Sequence, residues 1–257
     1  MDSLALLVNT EVKLSILIAV MVLSLGLILG FSTPSDDSIP NLNWRLLSNI
    51  IGWTYFSAWS ISFWPQILLN FQRGTVAGLS FEFLALNLLG FTCYTVYNGG
   101  LYWNATISAQ FANEHSGASP TVHANDVFFG IHAVAVTLLT IVQCLFLKRG
   151  EGQTVSLLWR AVLIGLILFI VIYGALTAAG KTGDNGWWHF ALTISYVKLA
   201  ISCCKYIPQV IINNQRRSTA GWSIHNVLLD FTGGLLSVIQ QCGDAYAKND
   251  WSSVCVT

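Results

Sequence analysis

Hydrophobic positions in this chain fall into long unbroken runs separated by short polar segments. The first run, Leu14 to Phe31, is 18 residues long, preceded by Glu11 and Lys13 and followed by STPSDDSIPN. Six more follow at about 46–69, 80–103, 124–147, 156–179, 188–212 and 223–246, each near the ~20 residues a helix needs to cross a bilayer. The runs are continuous rather than alternating at period two, so they predict helices and not barrel strands. The length of the first run suits either a signal peptide or a short spanning anchor, and both leave residues 32–44 outside the cytosol.

Composition sharpens this into an all-α membrane protein. Hydrophobic residues make up 54% of the chain and charged residues 9%, against about 25% charged in a soluble domain. The partner implied is the lipid bilayer. A net charge of zero motivates no nucleic-acid partner. The six cysteines, Cys93, Cys144, Cys203, Cys204, Cys242 and Cys255, show neither zinc spacing nor the density of a disulfide scaffold, and read as small buried apolar side chains. There is no P-loop, metal-spaced His/Glu pair or nucleophile elbow, so neither an enzyme nor a cofactor nor a metal is implied.

Basic residues set the expected orientation. With the segment before the second run lumenal, the cytosolic connections hold Arg73, Lys148, Arg149, Arg160, Arg216 and Arg217, and the lumenal flanks hold Arg45, Lys181 and Lys248. Six against three is a positive-inside bias. The sequon Asn104-Ala105-Thr106 falls on a lumenal connection and marks Asn104 as a glycosylation candidate.

Shifting the chain by 143 residues lays Pro65-Gln66 on Pro208-Gln209 without a gap, and ten of the 26 positions from Pro65 to Gly90 are then identical. Most of the ten are not apolar, so shared hydrophobicity does not explain them. Three crossings separate the copies, which makes the repeats parallel. The expected layout is an apolar signal or anchor with a lumenal segment (1–43), a first three-helix bundle (44–148), a linker helix (149–186) and a second bundle (187–257). The last helix of the second bundle is expected to be absent, because residue 124 shifted by 143 is 267, beyond Thr257.

Two ionisable residues lie deep in apolar runs, Lys205 and Asp230. A charge at such depth costs roughly 2.5–3.5 kcal/mol on insertion scales and is a functional hypothesis by default. Asp230 falls at the repeat position of Asn87, so one copy offers a carboxylate where the other offers an amide.

The paired Pro-Gln segments, the NDVFFGIHAV run at Asn125 and the strings KYIPQ, GWSI and NVLLDFTGG resemble the cystinosin family of PQ-loop proteins, over roughly residues 46–250. The resemblance implies triple-helix bundles in a three-plus-one-plus-three plan, and proton-coupled transport of L-cystine out of a lysosome or vacuole. It also implies substrate recognition by Lys205, Asp230, Asn226 and Asn87, a cavity-lining role for Gln143, and proton binding at Asp126 and Asp230. The chemistry is compatible, since Asp230 can take an ammonium and Lys205 a carboxylate. The two can equally be a pair that stabilises the bundle. Asp126 opens a span, where a partly desolvated carboxyl serves either as a proton carrier or as a helix cap. Pro65 and Pro208 kink their helices, with Gln66 and Gln209 placed to satisfy freed carbonyls, as static bends or as hinges for alternating access. His225 and Glu82 depart from the family pattern, and Lys198 is expected to snorkel towards the lumenal surface.

Three alternatives remain: a non-transporting membrane receptor or scaffold, a PQ-loop carrier of another amino acid, and a sugar carrier. A sugar would leave both Lys205 and Asp230 uncompensated.

Overall fold

The fold was established from a computed structural model that describes residues 2–117, 120, 122, 124–249 and 251, with backbone alone for 2–11, 124 and 125. Cys255 and the side chain of Asn125 lie outside the described residues. The chain is all-helical: α1 (Asp2–Ser32), α2 (Leu42–Ser62), α3 (Trp64–Arg73), α4 (Phe81–Trp103), α5 (Ala105–Glu114), α6 (Ala124–Phe146), α7 (Leu157–Ala178), α8 (Gly186–Cys204), α9 (Tyr206–Arg216) and α10 (Ile224–Lys248). Among the described residues the extended structure amounts to one isolated bridge between Thr75 and Lys148.

Helix boundaries follow local chemistry. Asn41, Ser80 and Asn104 cap α2, α4 and α5 through side-chain oxygens that accept first-turn N–H groups. Arg217 and Asn249 end α9 and α10 in the left-handed conformation. Four described stretches are long and apolar enough to cross a membrane: Val12–Ser32, Asp126–Phe146, Leu157–Ala178 and Gly186–Arg216. At 21, 23 and 25 residues, α2, α4 and α10 are also of spanning length, and they carry more polar side chains. Two expected spans are each two helices, α2 with α3 and α8 with α9, because each contains a proline. A further helix, α5, occupies a connection with no predicted element.

The chain forms two compact units. One comprises residues up to Gln66 together with those from Ser223 onwards; the other runs from Ile67 to Trp222. In the first, α2 packs against both α1 and α10. Ile18 and Val22 of α1 bury against Ala58 of α2 and Leu229 of α10. A Cβ on Gly26 or Gly30 would strike Thr54 or Ile50, so these glycines, four apart, let the α1 and α2 backbones approach as small-residue motifs do in membranes. The apolar first run is thus an integral packing element of its unit.

In the second unit α4 is central, packing against α6, α7, α8 and α9. One core cluster joins Val76, Leu79, Phe83, Leu84 and Cys144, and another joins Leu86, Cys93, Ile194, Val197 and Ile201. The five described cysteines are free thiols, and two of them follow expectation: Cys93 and Cys144 are buried, Cys204 is half-buried, and Cys203 and Cys242 sit on exposed faces of their helices. A thiol behaves as a small, nearly apolar group, so an outer helix face accepts it as readily as the core does.

Candidate functional site

Each proline lies just after a break in its helix. α2 ends at Ser62, Phe63 intervenes, and Pro65 is the second residue of α3; α8 ends at Cys204, Lys205 intervenes, and Pro208 is the third residue of α9. Proline has no N–H to lose in a first helical turn, which explains where the new helices start. Phe63 and Lys205 keep right-handed dihedral angles (−74°, −33° and −56°, −30°). The breaks therefore interrupt hydrogen bonding without reversing the chain.

Lys205 occupies the second break. It is only 9% exposed, and its Nζ lies 4.9 Å from the centroid of Tyr206 and 5.7 Å from that of Phe91. Ring faces at such distances attract an ammonium and offset part of its desolvation. Asn87, buried on α4, is one turn before Phe91 and on the same face. Two turns before Lys205, Lys198 places its Nζ 5.1 Å over the ring of Tyr94. Phe129 of α6 stands edge-on to both Phe91 and Tyr94, at 6.3 and 5.9 Å. Asp126, half-buried in the first turn of α6, is carried three residues before Phe129. The second unit thus sets Lys205, Lys198 and the start of α6 beside four aromatic rings, those of Tyr206, Phe91, Tyr94 and Phe129, with Asn87 one turn from Phe91 on α4.

Asp230 and Asn226 belong to the other unit, one turn apart on α10. Asn226 donates its amide to the carbonyl of Ser62, the last residue of α2, at 2.7 Å. The Trp59 indole donates to the backbone carbonyl of Asp230 at 3.2 Å. A Cβ on Gly233 would collide with Trp59, so this glycine admits a close approach of α10 to α2. Gly90 admits α8 in the same way, facing Ile201, whereas Gly234 faces open space. α10 is therefore fastened to α2 beside the first break, with the Asp230 side chain half-buried.

The side-chain oxygens of both glutamines reach beyond their own helices. Gln209 accepts from the backbone N–H of Ser80 at 2.7 Å and donates to Gly78 O and Asn213 Oδ1 at 2.8 and 3.0 Å. Gln66 accepts from the backbone N–H of Ser223 at 2.8 Å. Ser80 and Ser223 are the N-cap residues of α4 and α10. Each glutamine thus reaches from one repeat to the helix start of the other. Both are almost fully buried, and a backbone N–H at such depth must find an acceptor.

The turns that follow repeat this exchange. Arg73 donates to Ala77 O and Arg216 to Ala220 O, at 3.2 and 3.1 Å. A Cβ on Gly78 would meet Arg216 and Ala220 O, and one on Gly221 would meet Arg73 and Ala77 O. Gln143 is buried, accepting from Asn70 at 2.8 Å and donating to Ile67 O at 3.0 Å. Its amide fastens α6 to α3.

At the opposite ends of the helices, Asn104 is exposed, and its Oδ1 accepts from the N–H groups of Thr106 and Ile107. α5, begun by this cap, docks on the start of α8. Glu114 accepts from Asn185 and from the Trp188 indole, both at 3.0 Å, and lies 2.6 Å from His189 Nε2. The Asn185 hydrogen bond, then those of His189 and Trp188, hold the Glu114 carboxyl below its ordinary range. In the first unit, partial burial raises the Asp36 carboxyl, but Lys248 and Ser38 outweigh it and bring the pKa to about 2.

Sequence reasoning missed the Phe91–Tyr94–Phe129 trio and the bonds of Glu82. The buried Glu82 accepts from Ser80 Oγ and from the Ser156 N–H, both at 2.9 Å, and so joins the starts of α4 and α7. Phe91 and Tyr94 lie four and seven residues after Asn87, a helical spacing that was available as a signal.

The PQ loop repeat model matches this chain twice, at residues 47–107 and 190–249, stretches that begin 143 residues apart. A cystinosin homolog from Dictyostelium discoideum is 40% identical over 208 residues, covering 80% of this chain and 71% of its own length. The chain belongs to the cystinosin family. Cystinosin from Bos taurus is 46% identical over 209 residues, which are 81% of this chain and 56% of that protein; the chain thus spans little more than half the length of that relative. A protein of Saccharomyces cerevisiae named cystine transporter is 29% identical over 212 residues, covering 76% of this chain and 77% of its own length. Family membership makes this a PQ-loop membrane protein, with a relative named as a transporter.

Proposed function

We propose that this chain carries L-cystine, together with protons, from an acidic lysosomal or vacuolar lumen to the cytosol by alternating access. The observation that carries the reading is the buried ammonium of Lys205, held at a proline break among aromatic rings within a membrane span. Such a group is costly to keep and well suited to receive a carboxylate.

In this reading Lys205 takes a carboxylate of the substrate and Asn87 orients it by neutral hydrogen bonds. Asp230 takes an ammonium, helped by Asn226. Gln143 supports the site by fixing α6, and Asp126 and Asp230 bind the coupled protons. Pro65 with Gln66 and Pro208 with Gln209 form the hinge regions, where interrupted helices bend at little cost. The names of the relatives support cystine as the substrate, and the depth of Lys205 and Asp230 in a membrane span supports a charged ligand over a sugar.

The test is uptake of radiolabelled cystine into liposomes holding the purified chain, with pH 5 outside and pH 7 inside. Uptake that collapses with the gradient, and that Lys205→Ala and Asp230→Asn each reduce at least tenfold, agrees with the proposal. Parental uptake by both variants sinks the site assignment, and uptake indifferent to the gradient sinks the coupling. Competition by other amino acids but not by cystine transfers the reading to a different substrate of the same charge pattern.

A further inference from the structure

A groove of about 510 Å³ runs along α4 in the second unit, with lining from α6 and α7. α4 contributes Phe81, Leu84, Ala85, Leu88 and Thr92. From Phe81 to Thr92 are eleven residues, which at 1.5 Å each give a length of about 16 Å. That is about half of the ~30 Å hydrocarbon core, or the depth of one leaflet.

The chemistry differs at the two ends. The hydroxyl of Thr92, at the deep end, is bonded internally to Leu88 O at 2.7 Å, so the groove meets its contents there with a methyl group. At the shallow end α4 and α7 begin and α6 has just ended, which puts this mouth at a membrane–water boundary. Arg149 stands there, exposed, its Nε bonded to Cys144 O at 2.7 Å and its guanidinium carbon 5.6 Å from the Phe81 ring centroid. Those contacts fix the side chain and leave its terminal nitrogens without a carboxylate partner among the described residues. The adjacent carboxylate on α4, Glu82, is buried and turned to Ser80 and Ser156. Lys148, also exposed, adds a second positive charge beside Arg149.

We propose that this groove binds one anionic glycerophospholipid, with an acyl chain along α4 and the headgroup phosphate on Arg149. Away from the Arg149 mouth the lining is almost wholly apolar and satisfies few hydrogen bonds of a polar solute, whereas an acyl chain needs none. A planar guanidinium held at the boundary pairs with a phosphate through two parallel hydrogen bonds, and a net negative headgroup is favoured over a zwitterionic one by the two cations. This site is separate from the aromatic trio about Lys205: its residues on α4 are not Asn87, Phe91 or Tyr94.

The test is native mass spectrometry of the purified full chain, exposed in detergent to equal amounts of phosphatidylserine and phosphatidylcholine with identical acyl chains. Phosphatidylserine should be retained at least fivefold over phosphatidylcholine. Arg149→Gln should bring that ratio close to one, Arg149→Lys should keep at least half of the preference, and Ala85→Phe, which fills the groove, should reduce retention of both lipids. Equal retention by the parent chain overturns the proposal, as does undiminished preference in Arg149→Gln. So does an Arg149→Lys variant that behaves like Arg149→Gln, or parental retention by Ala85→Phe. Unchanged melting temperatures in the Arg149 variants separate loss of lipid from loss of fold.

Discussion

Gln209 holds the start of the helix that carries Asn87: its Oε1 accepts the backbone N–H of Ser80 at 2.7 Å, with both residues fully buried. Removing the amide strands that N–H, and Gly78 O loses its donor as well. A buried group left unpaired costs about 1–3 kcal/mol. Gln209→Ala is expected to destabilise the chain by at least that amount, and Gln66→Ala by a comparable amount through Ser223. Thermal unfolding in detergent, followed by circular dichroism, measures both. A change in melting temperature no larger than that of an exposed substitution would remove the role given to these bonds.

Gly78 and Gly221 have φ values of +102° and +101°, and each faces an arginine and a carbonyl of the other repeat's turn. Alanine at either position is strained by backbone and by contact together. Gly78→Ala and Gly221→Ala should each cost about 1–3 kcal/mol, whereas Gly74→Ala, at φ +62° with open space around it, should cost only the backbone part. The order of the three melting temperatures checks this.

Phe91 supports the Lys205 ammonium through its ring face and Asn87 only through helix position. If Lys205 receives the substrate carboxylate, Phe91→Leu keeps bulk but loses the quadrupole, worth roughly 0.5–2 kcal/mol. The expected result is a rise in the transport KM of about two- to thirtyfold, with expression and melting temperature little changed. An unchanged KM would show that the ring is mere packing.

Two carboxyls outside the spanning helices set an acid limit on stability. Asp36 titrates near 2 when folded and at 3.8 when unperturbed. Because the folded value is the lower one, its contribution is complete above about pH 4 and is lost as pH falls towards 2. Glu114, lowered from 4.5, behaves in the same sense: its bonds to α8 contribute above that value and fade below it. The difference in melting temperature between the parent chain and Asp36→Asn or Glu114→Gln should therefore be nearly the same at pH 7 and pH 5, and should shrink below about pH 4.5 for Glu114 and below about pH 4 for Asp36. Loss already at pH 5 would contradict both assignments.

Much of this architecture was legible in the sequence because membranes simplify the problem. Continuous apolar runs have one stable backbone solution, and the ends of α4, α6 and α7 fall within a residue of the predicted spans. The 143-residue repeat was readable from polar identities such as Asn70, Gln72 and Arg73, and the family model divides the chain at the same offset. Bonds between distant residues were not legible. Nothing local to Gln66 or Gln209 says that an amide beside a proline will cap a helix 157 or 129 residues away. Nor does the polar stretch after Asn104 announce α5, whose stability comes from Glu114 and Phe111 meeting Trp188.

The crossed glutamine caps bear on how the chain is made. Gln66 leaves the ribosome 157 residues ahead of Ser223, and the unit to which both belong stays incomplete until α10 has been synthesised. The first repeat must wait in the bilayer with a buried acceptor unclaimed, so cooperative assembly of that unit is deferred until α10 has emerged. The same interleaving makes the halves mutually dependent: fragments divided between Lys148 and Leu157 should each be degraded when expressed alone, and should rescue one another when expressed together.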